Sequence, residues 1–183
     1  MDVLNPAAPA QEAVEYEVRQ WHGGLDNPSI YQRAPSPEVD QAWLDLYNDF
    51  GVSQIPKWQA ELLPNPSVPF LDNSDYYIVE LSMFHQMHCL NLIRRALHPD
   101  YYIDPVTGNL DIITADQLAM HVSHCVDSLR QGIMCSADIS PIVWKRKGNK
   151  SAEIEFDVLH TCRKYDKLVE WAKTHVSEYD LDP

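Results

Sequence analysis

Thirteen residues recur in this chain at an interval of 36, and each copy carries two imidazoles and a thiol. The first copy runs from His85 to Leu97 (HQMHCLNLIRRAL) and the second from His121 to Ile133 (HVSHCVDSLRQGI). His85 matches His121, His88 matches His124, Cys89 matches Cys125 and Arg94 matches Arg130. Ile93/Leu129 and Leu97/Ile133 stay apolar in step. On a helix, positions i, i+3 and i+4 share one face, so each copy presents both imidazoles and its thiol from a single stripe. Two such helices packed face to face gather four imidazoles. A buried neutral ring needs a partner for its N–H, and charging several rings sets like charges side by side. A metal ion relieves both costs, so the pattern predicts a metal site.

The same spacing on facing helices serves di-iron bundles, where Glu-x-x-His supplies each half. Here His replaces Glu, which makes the site nitrogen-rich and carboxylate-poor and suits copper or zinc better than non-haem iron. Two histidine pairs can hold one tetrahedral ion, or two ions with further ligands. His160, in His160-Thr161-Cys162, is the natural extra ligand, because an extended segment points His160 and Cys162 the same way. His22 can reach a site as a loop residue, whereas His98 and His175 stand at helix-terminal positions. The four cysteines are Cys89, Cys125, Cys135 and Cys162, without the Cys-x-x-Cys spacing of structural zinc knuckles. They can act as thiolate ligands or form two disulfides. Of the three connectivities, Cys89–Cys125 with Cys135–Cys162 is favoured, because it pins the two motif helices and ties down the His160 segment. Disulfides require an oxidising compartment.

The elements that must position these groups read as mainly α: a compact helical domain built around two His-x-x-His-Cys helices, with a few short strands and long loops. Residues 1–35 form an N-terminal arm with a short alternating strand at Val14–Val18, residues 36–177 form one helical domain, and residues 178–183 form a tail. Ser36-Pro37-Glu38 is a helix start, followed by an apolar stripe of Val39, Trp43, Leu46, Tyr47 and Phe50 that Gly51 closes. Residues 52–75, with four prolines, read as a wrapping loop. The first motif helix is expected from Tyr77 to Leu97, stopping before His98-Pro99. Residues 104–109 form a turn. Thr114-Ala115-Asp116-Gln117 is a capping box that opens the second motif helix, which ends near Cys135. Residues 136–155 read as loop with a short strand at Ile142–Trp144. A last helix from Lys164 to Val176 buries Leu168, Val169, Trp171 and Ala172.

At 183 residues and 45% hydrophobic, with nine Tyr and five Trp, the chain can bury a core without metal or disulfide support. Tyr76, Tyr77, Tyr101, Tyr102, Trp43 and Trp144 read as core rather than pocket lining. A net charge of −13 argues against nucleic-acid binding, and Lys145-Arg146-Lys147 reads as a solvated turn. No apolar run of about 20 residues is present to span a bilayer, and no signal peptide is visible. The sequon Asn149-Lys150-Ser151 falls in an expected turn.

Over roughly residues 35–175 the sequence resembles the fungal DUF3328, or UstYa-like, family. The resemblance rests on Pro37-Glu38-Val39-Asp40 with Trp43, both His-x-x-His-Cys motifs, Leu129-Arg130-Gln131 leading to Met134-Cys135-Ser136-Ala137-Asp138, and His160-Thr161-Cys162-Arg163. It implies a tailoring enzyme of fungal secondary metabolism that uses O₂ for cyclisation, hydroxylation, desaturation or halogenation of a small metabolite or peptide. Copper, as one or two ions, is the implied metal, with zinc as the alternative. Its implied ligands are His85, His88, His121, His124 and His160. Asp138 matches a family position, as a site residue or as a cap for the loop that follows. The family implies the lumen of the secretory pathway, although its usual N-terminal transmembrane anchor is not among these 183 residues. The rival expectations are a non-redox cyclase on the same fold and a non-enzymatic zinc-binding protein.

Overall fold

The computed structural model describes residues 8–21, 28–70, 73–147 and 151–177, with backbone alone over 144–147 and 151–155. His22, Asn149-Lys150 of the sequon, the tail from 178 and the side chains of Trp144 to Lys147 lie outside the described residues. In chain order the elements are β1 (Tyr16–Gln20), α1 (Pro37–Leu44), β2 (Val52–Pro56), α2 (Lys57–Ala60), β3 (Tyr76–Glu80), α3 (Ser82–Ala96), α4 (Pro99–Tyr102), α5 (Ala115–Ser136), β4 (Val143–Lys147), β5 (Ser151–Glu155), β6 (Leu159–Arg163) and α6 (Tyr165–Thr174). The architecture is mainly helical, with three two-stranded sheets that pair β1 with β6, β2 with β3 and β4 with β5. No described helix is long and apolar enough to cross a membrane. The chain divides into two compact units, Met1–Arg19 with Asn48–Leu81 and His160–Pro183, and Gln20–Tyr47 with Ser82–Leu159.

In the first unit, β2 alternates inward and outward, burying Ser53 and Ile55. It pairs with β3 antiparallel, Ile55 opposite Tyr77 and Ser53 opposite Val79. Helix α6 turns Leu168, Trp171 and Ala172 inward, and the His175 ring stacks on Trp171 with Nδ1 2.8 Å from the Trp171 carbonyl. That is the terminal position its sequence context indicated. On β6 only His160 is buried, Cys162 on the same side is half-buried, and Leu159, Thr161 and Arg163 face solvent.

The second unit carries both motifs. Ser36 caps α1 by accepting the Val39 N–H at 3.2 Å, with Pro37 following it. Helix α1 and the turns after it bury Val39, Trp43 and Tyr47. Between α4 and α5, Gly108 takes the left-handed φ of +73° that a turn there requires. Thr114 and Gln117 form the expected capping box at the head of α5, and Ala137 ends the helix in the left-handed region at φ 42°. Helices α3 and α5 pack along their length in opposite senses, since Gln86, early in α3, lies over Gly132, late in α5. A Cβ at Gly132 would stand 2.5 Å from Gln86 Nε2, so the missing side chain admits the close approach.

Four expectations are corrected. The first strand begins at Tyr16, two residues later than the alternating run suggested. Residues 52–75 are not a loop throughout: β2 and α2 occupy 52–60, with Pro56 at the strand's end, where no ladder hydrogen bond is lost. The first motif helix starts at Ser82, because the aromatic and β-branched run Tyr76-Tyr77-Ile78-Val79 pairs with β2 as a strand. Residues 143–147 and 151–155 pair as the antiparallel strands β4 and β5 in place of a loop with one short strand, and Lys145–Lys147 lie on β4 rather than in a turn.

Candidate metal centre

Both His-x-x-His-Cys runs are helical. His85, His88 and Cys89 lie on α3, and His121, His124 and Cys125 lie on α5. Cys89 and Cys125 are fully buried in a small core with Leu92 and Leu110, flanked by Ile93, Leu118, Val122 and Leu129. The imidazoles rise from that apolar floor. His85, His88 and His121 are half-buried, and His124 is exposed. Their rings form a continuous row. His88 lies nearly parallel to His85, centroids 6.2 Å apart, His85 meets His124 at 5.6 Å, and His124 meets His121 at 6.5 Å.

The tightest part of this row is a triangle of donor atoms. His85 Nε2 lies 3.4 Å from His124 Nε2 and 3.6 Å from Cys89 Sγ, and all three atoms fall within 4.8 Å of one another. Two neutral imidazoles at that distance share one N–H···N hydrogen bond. The separation also matches a metal polyhedron. Metal–nitrogen bonds of about 2.0–2.1 Å and metal–sulfur bonds of about 2.3 Å at tetrahedral angles set N···N near 3.3–3.4 Å and N···S near 3.5–3.6 Å. Both measured edges fall at these values. The two edges that meet at His85 therefore fit a tetrahedral ion of zinc or copper size.

The electrostatics favour the same use. The His85 imidazolium is disfavoured, first by burial and then by His124 and His121, which pulls its pKa below the ordinary 6.5. His88 is shifted the same way, by burial first, then by His85, His121 and Arg95. Neutral imidazoles keep a lone pair available for a metal. Burial, with the neighbouring Cys89 thiol, pushes the Cys125 thiol up to about 12, and the cluster of donor atoms takes in Cys89 with His85 and His124.

All four cysteines are free thiols in the structure, in place of the two expected bridges. Cys89 and Cys125 do meet in one buried cluster, as two i+4 positions on packed helices require, but as free thiols. Cys135 is exposed on α5 and Cys162 half-buried on β6. His160 is buried on β6, in the first unit. Asp138 accepts the Ser140 N–H at 2.8 Å, the capping geometry of a short turn. His98 is exposed at the head of α4.

Sequence reasoning passed over the residues behind His88. Tyr47 meets the His88 ring edge-on, at 6.0 Å and 89°. Its hydroxyl accepts from Asn91 Nδ2 at 3.0 Å, and Asn91 Oδ1 accepts from Arg94 Nε at 2.9 Å. Arg94 Nη2 and the Tyr102 hydroxyl both donate to Asp40 Oδ1, at 2.7 and 2.6 Å. A signal existed: His85, His88, Asn91 and Arg94 recur every three residues, as do His121, His124, Asp127 and Arg130.

A family model described as "Mycotoxin biosynthesis protein UstYa" matches residues 2–175. The chain belongs to the UstYa family. Oxidase ustYa of Aspergillus flavus is 35% identical over 161 residues, covering 87% of this chain and 63% of its own length. UstYa family oxidase phomYc' of Diaporthe leptostromiformis is 28% identical over 185 residues, covering 98% of this chain and 65% of its own. Transacylase cctO of Talaromyces islandicus is 26% identical over 182 residues, covering 93% and 60%. The chain thus spans 60–65% of the length of these three relatives. No solved structure matches it.

Proposed function

We propose that this UstYa-family chain is a copper-dependent oxidative tailoring enzyme of fungal secondary metabolism, acting on a small metabolite or peptide with O₂. The observation that carries the reading is the donor triangle of His85, His124 and Cys89, whose two measured edges suit one tetrahedral ion. Imidazole and thiolate favour copper or zinc over iron or magnesium, and the relatives named as oxidases favour copper over zinc. When bound, copper would supply one-electron chemistry with O₂. The holding set is His85, His88, His121 and His124 with Cys89, and His160 is kept as a candidate residue of the reaction.

The chain's own residues divide the remaining work. The buried floor of Cys89, Cys125, Leu92 and Leu110 excludes water beneath the imidazole row. Exposed His124 leaves the α5 side approachable, where a substrate carbon can be brought near the site and oriented. The depressed pKa values of His85 and His88 keep both rings unprotonated at neutral pH.

A second reading has one observation in its favour. Cys89 Sγ lies 3.6 Å from His85 Nε2, a nucleophile–base pairing, and one relative carries the name transacylase. Against it, Cys89 is fully buried, so an acyl carbon cannot reach the sulfur without opening the helix pair. Assay with and without O₂ separates the two. The copper reading requires turnover to stop under strict anaerobiosis, and undiminished anaerobic turnover would favour the non-redox one.

A further inference from the structure

We infer that Asn91, anchored by Arg94 and Asp40, is a positioning residue that fixes the His88 ring through Tyr47, so that the two copies of the motif make unequal halves of the centre. The inference rests on the copper reading and deepens it.

The two copies repeat the same row of polar residues at every third position, yet the structure treats them differently. In the second copy, Arg130 Nε reaches Asp127 Oδ1 at 2.7 Å and Nη1 reaches Met134 Sδ at 3.0 Å, all on the exposed side of α5. That arrangement is an ordinary helix-surface pair. In the first copy the row runs beneath α1 and its following turns. Arg94, whose side chain is only 12% exposed, is gripped by Asp40 and Tyr102 while its guanidinium lies over Trp43 and Tyr102 at 5.4 and 5.0 Å. It orients Asn91, which is 3% exposed. Both polar ends of the Asn91 amide are used, the oxygen by Arg94 and the nitrogen by the Tyr47 hydroxyl, so the amide cannot flip without breaking both bonds. Tyr47 is held in turn, and its buried ring limits rotation of His88.

A polar chain in this place is not what packing alone would select, since well-packed apolar residues commonly stabilise a core as well as a buried ion network does. What the chain adds is orientation. Metal-binding imidazoles depend on neighbours that fix the ring angle, and loss of such a neighbour weakens metal binding by about tenfold or more. Asp40 and Tyr47 both come from the segment that opens with Pro37-Glu38-Val39-Asp40, which gives that segment a purpose at the centre beyond burial of Val39 and Trp43.

The test is copper(II) titration of the full chain with electron paramagnetic resonance of the loaded protein. It compares wild type, Asn91→Ala, Tyr47→Phe, their double variant and Arg130→Gln, with far-UV circular dichroism of each. Asn91→Ala and Tyr47→Phe break the same hydrogen bond and leave the Tyr47 aromatic ring in place. Each should weaken copper binding by about tenfold and alter the hyperfine splitting, and the double variant should lose little more than either single one. Arg130→Gln, at the matching repeat position, should bind as wild type does. Tyr47→Phe, which deletes one oxygen, serves as the decisive variant if Asn91→Ala does not fold. Wild-type affinity and splitting in folded Tyr47→Phe would overturn this inference and leave the copper reading standing. A wild-type chain that binds no copper would overturn both.

Discussion

Imidazole protonation is the most exposed weakness of the centre. His85 and His88 have folded pKa values below the ordinary 6.5, so between those values the unfolded chain binds more protons than the folded one. Stability contributed by these neutral rings is present above pH 6.5 and declines as pH falls through that value toward the folded pKa. The melting temperature of metal-free protein should therefore drop from pH 7 to pH 5, and His88→Gln should flatten that acid limb. An unchanged limb in the variant would show that the proton uptake belongs elsewhere. The thiols give a second prediction at this scale. Cys125, buried and held near a pKa of about 12, should resist alkylation at pH 8 in native protein, whereas exposed Cys135 should react quickly. Peptide mass spectrometry reads both, and rapid native labelling of Cys125 would contradict the closed helix pair. The repeated His, Cys and Arg positions were legible in the sequence because chemistry fixes their spacing. The Asn91–Tyr47 bond was not, because it joins residues 44 apart and no local pattern announces such a contact.

Helices α1, α3 and α5 set the geometry, and their ends were written in local chemistry. Ser36 with Pro37 and Thr114 with Gln117 each satisfy helix-end N–H groups, so both starts were legible. Ser36→Ala should cost about 1 kcal/mol, the usual loss for a cap, measured by urea denaturation. Because α1 carries Asp40, the same variant should also loosen the Arg94 anchor. A stability change near zero would mean the cap bond does not persist in solution. The misread elements share one cause. Tyr76-Tyr77-Ile78-Val79 runs directly into the first motif, and an apolar run of that length fits a helix or a buried strand equally well. Only its partner β2, some 24 residues earlier, decides the question. The pairing of β4 with β5 was missed similarly, since Lys145-Arg146-Lys147 carries no apolar alternation.

Across the whole molecule, the fold class and the family were legible from one sequence, because both hang on the repeated motif and the segments around it. The division into two compact units was not, since the first unit is assembled from three separate stretches of chain. The charge of −13 makes the surface unsuited to polyanions. The central claim is that the α3–α5 pair binds copper through imidazoles of both motif copies. Its most direct test is metal analysis with electron paramagnetic resonance on wild type, His85→Ala and His124→Ala, each loaded with copper(II) and dialysed. Wild type should retain copper with nitrogen hyperfine structure, and both variants should lose most of it while keeping their far-UV helical signal. Full copper retention in both variants, or none in wild type, would contradict the claim.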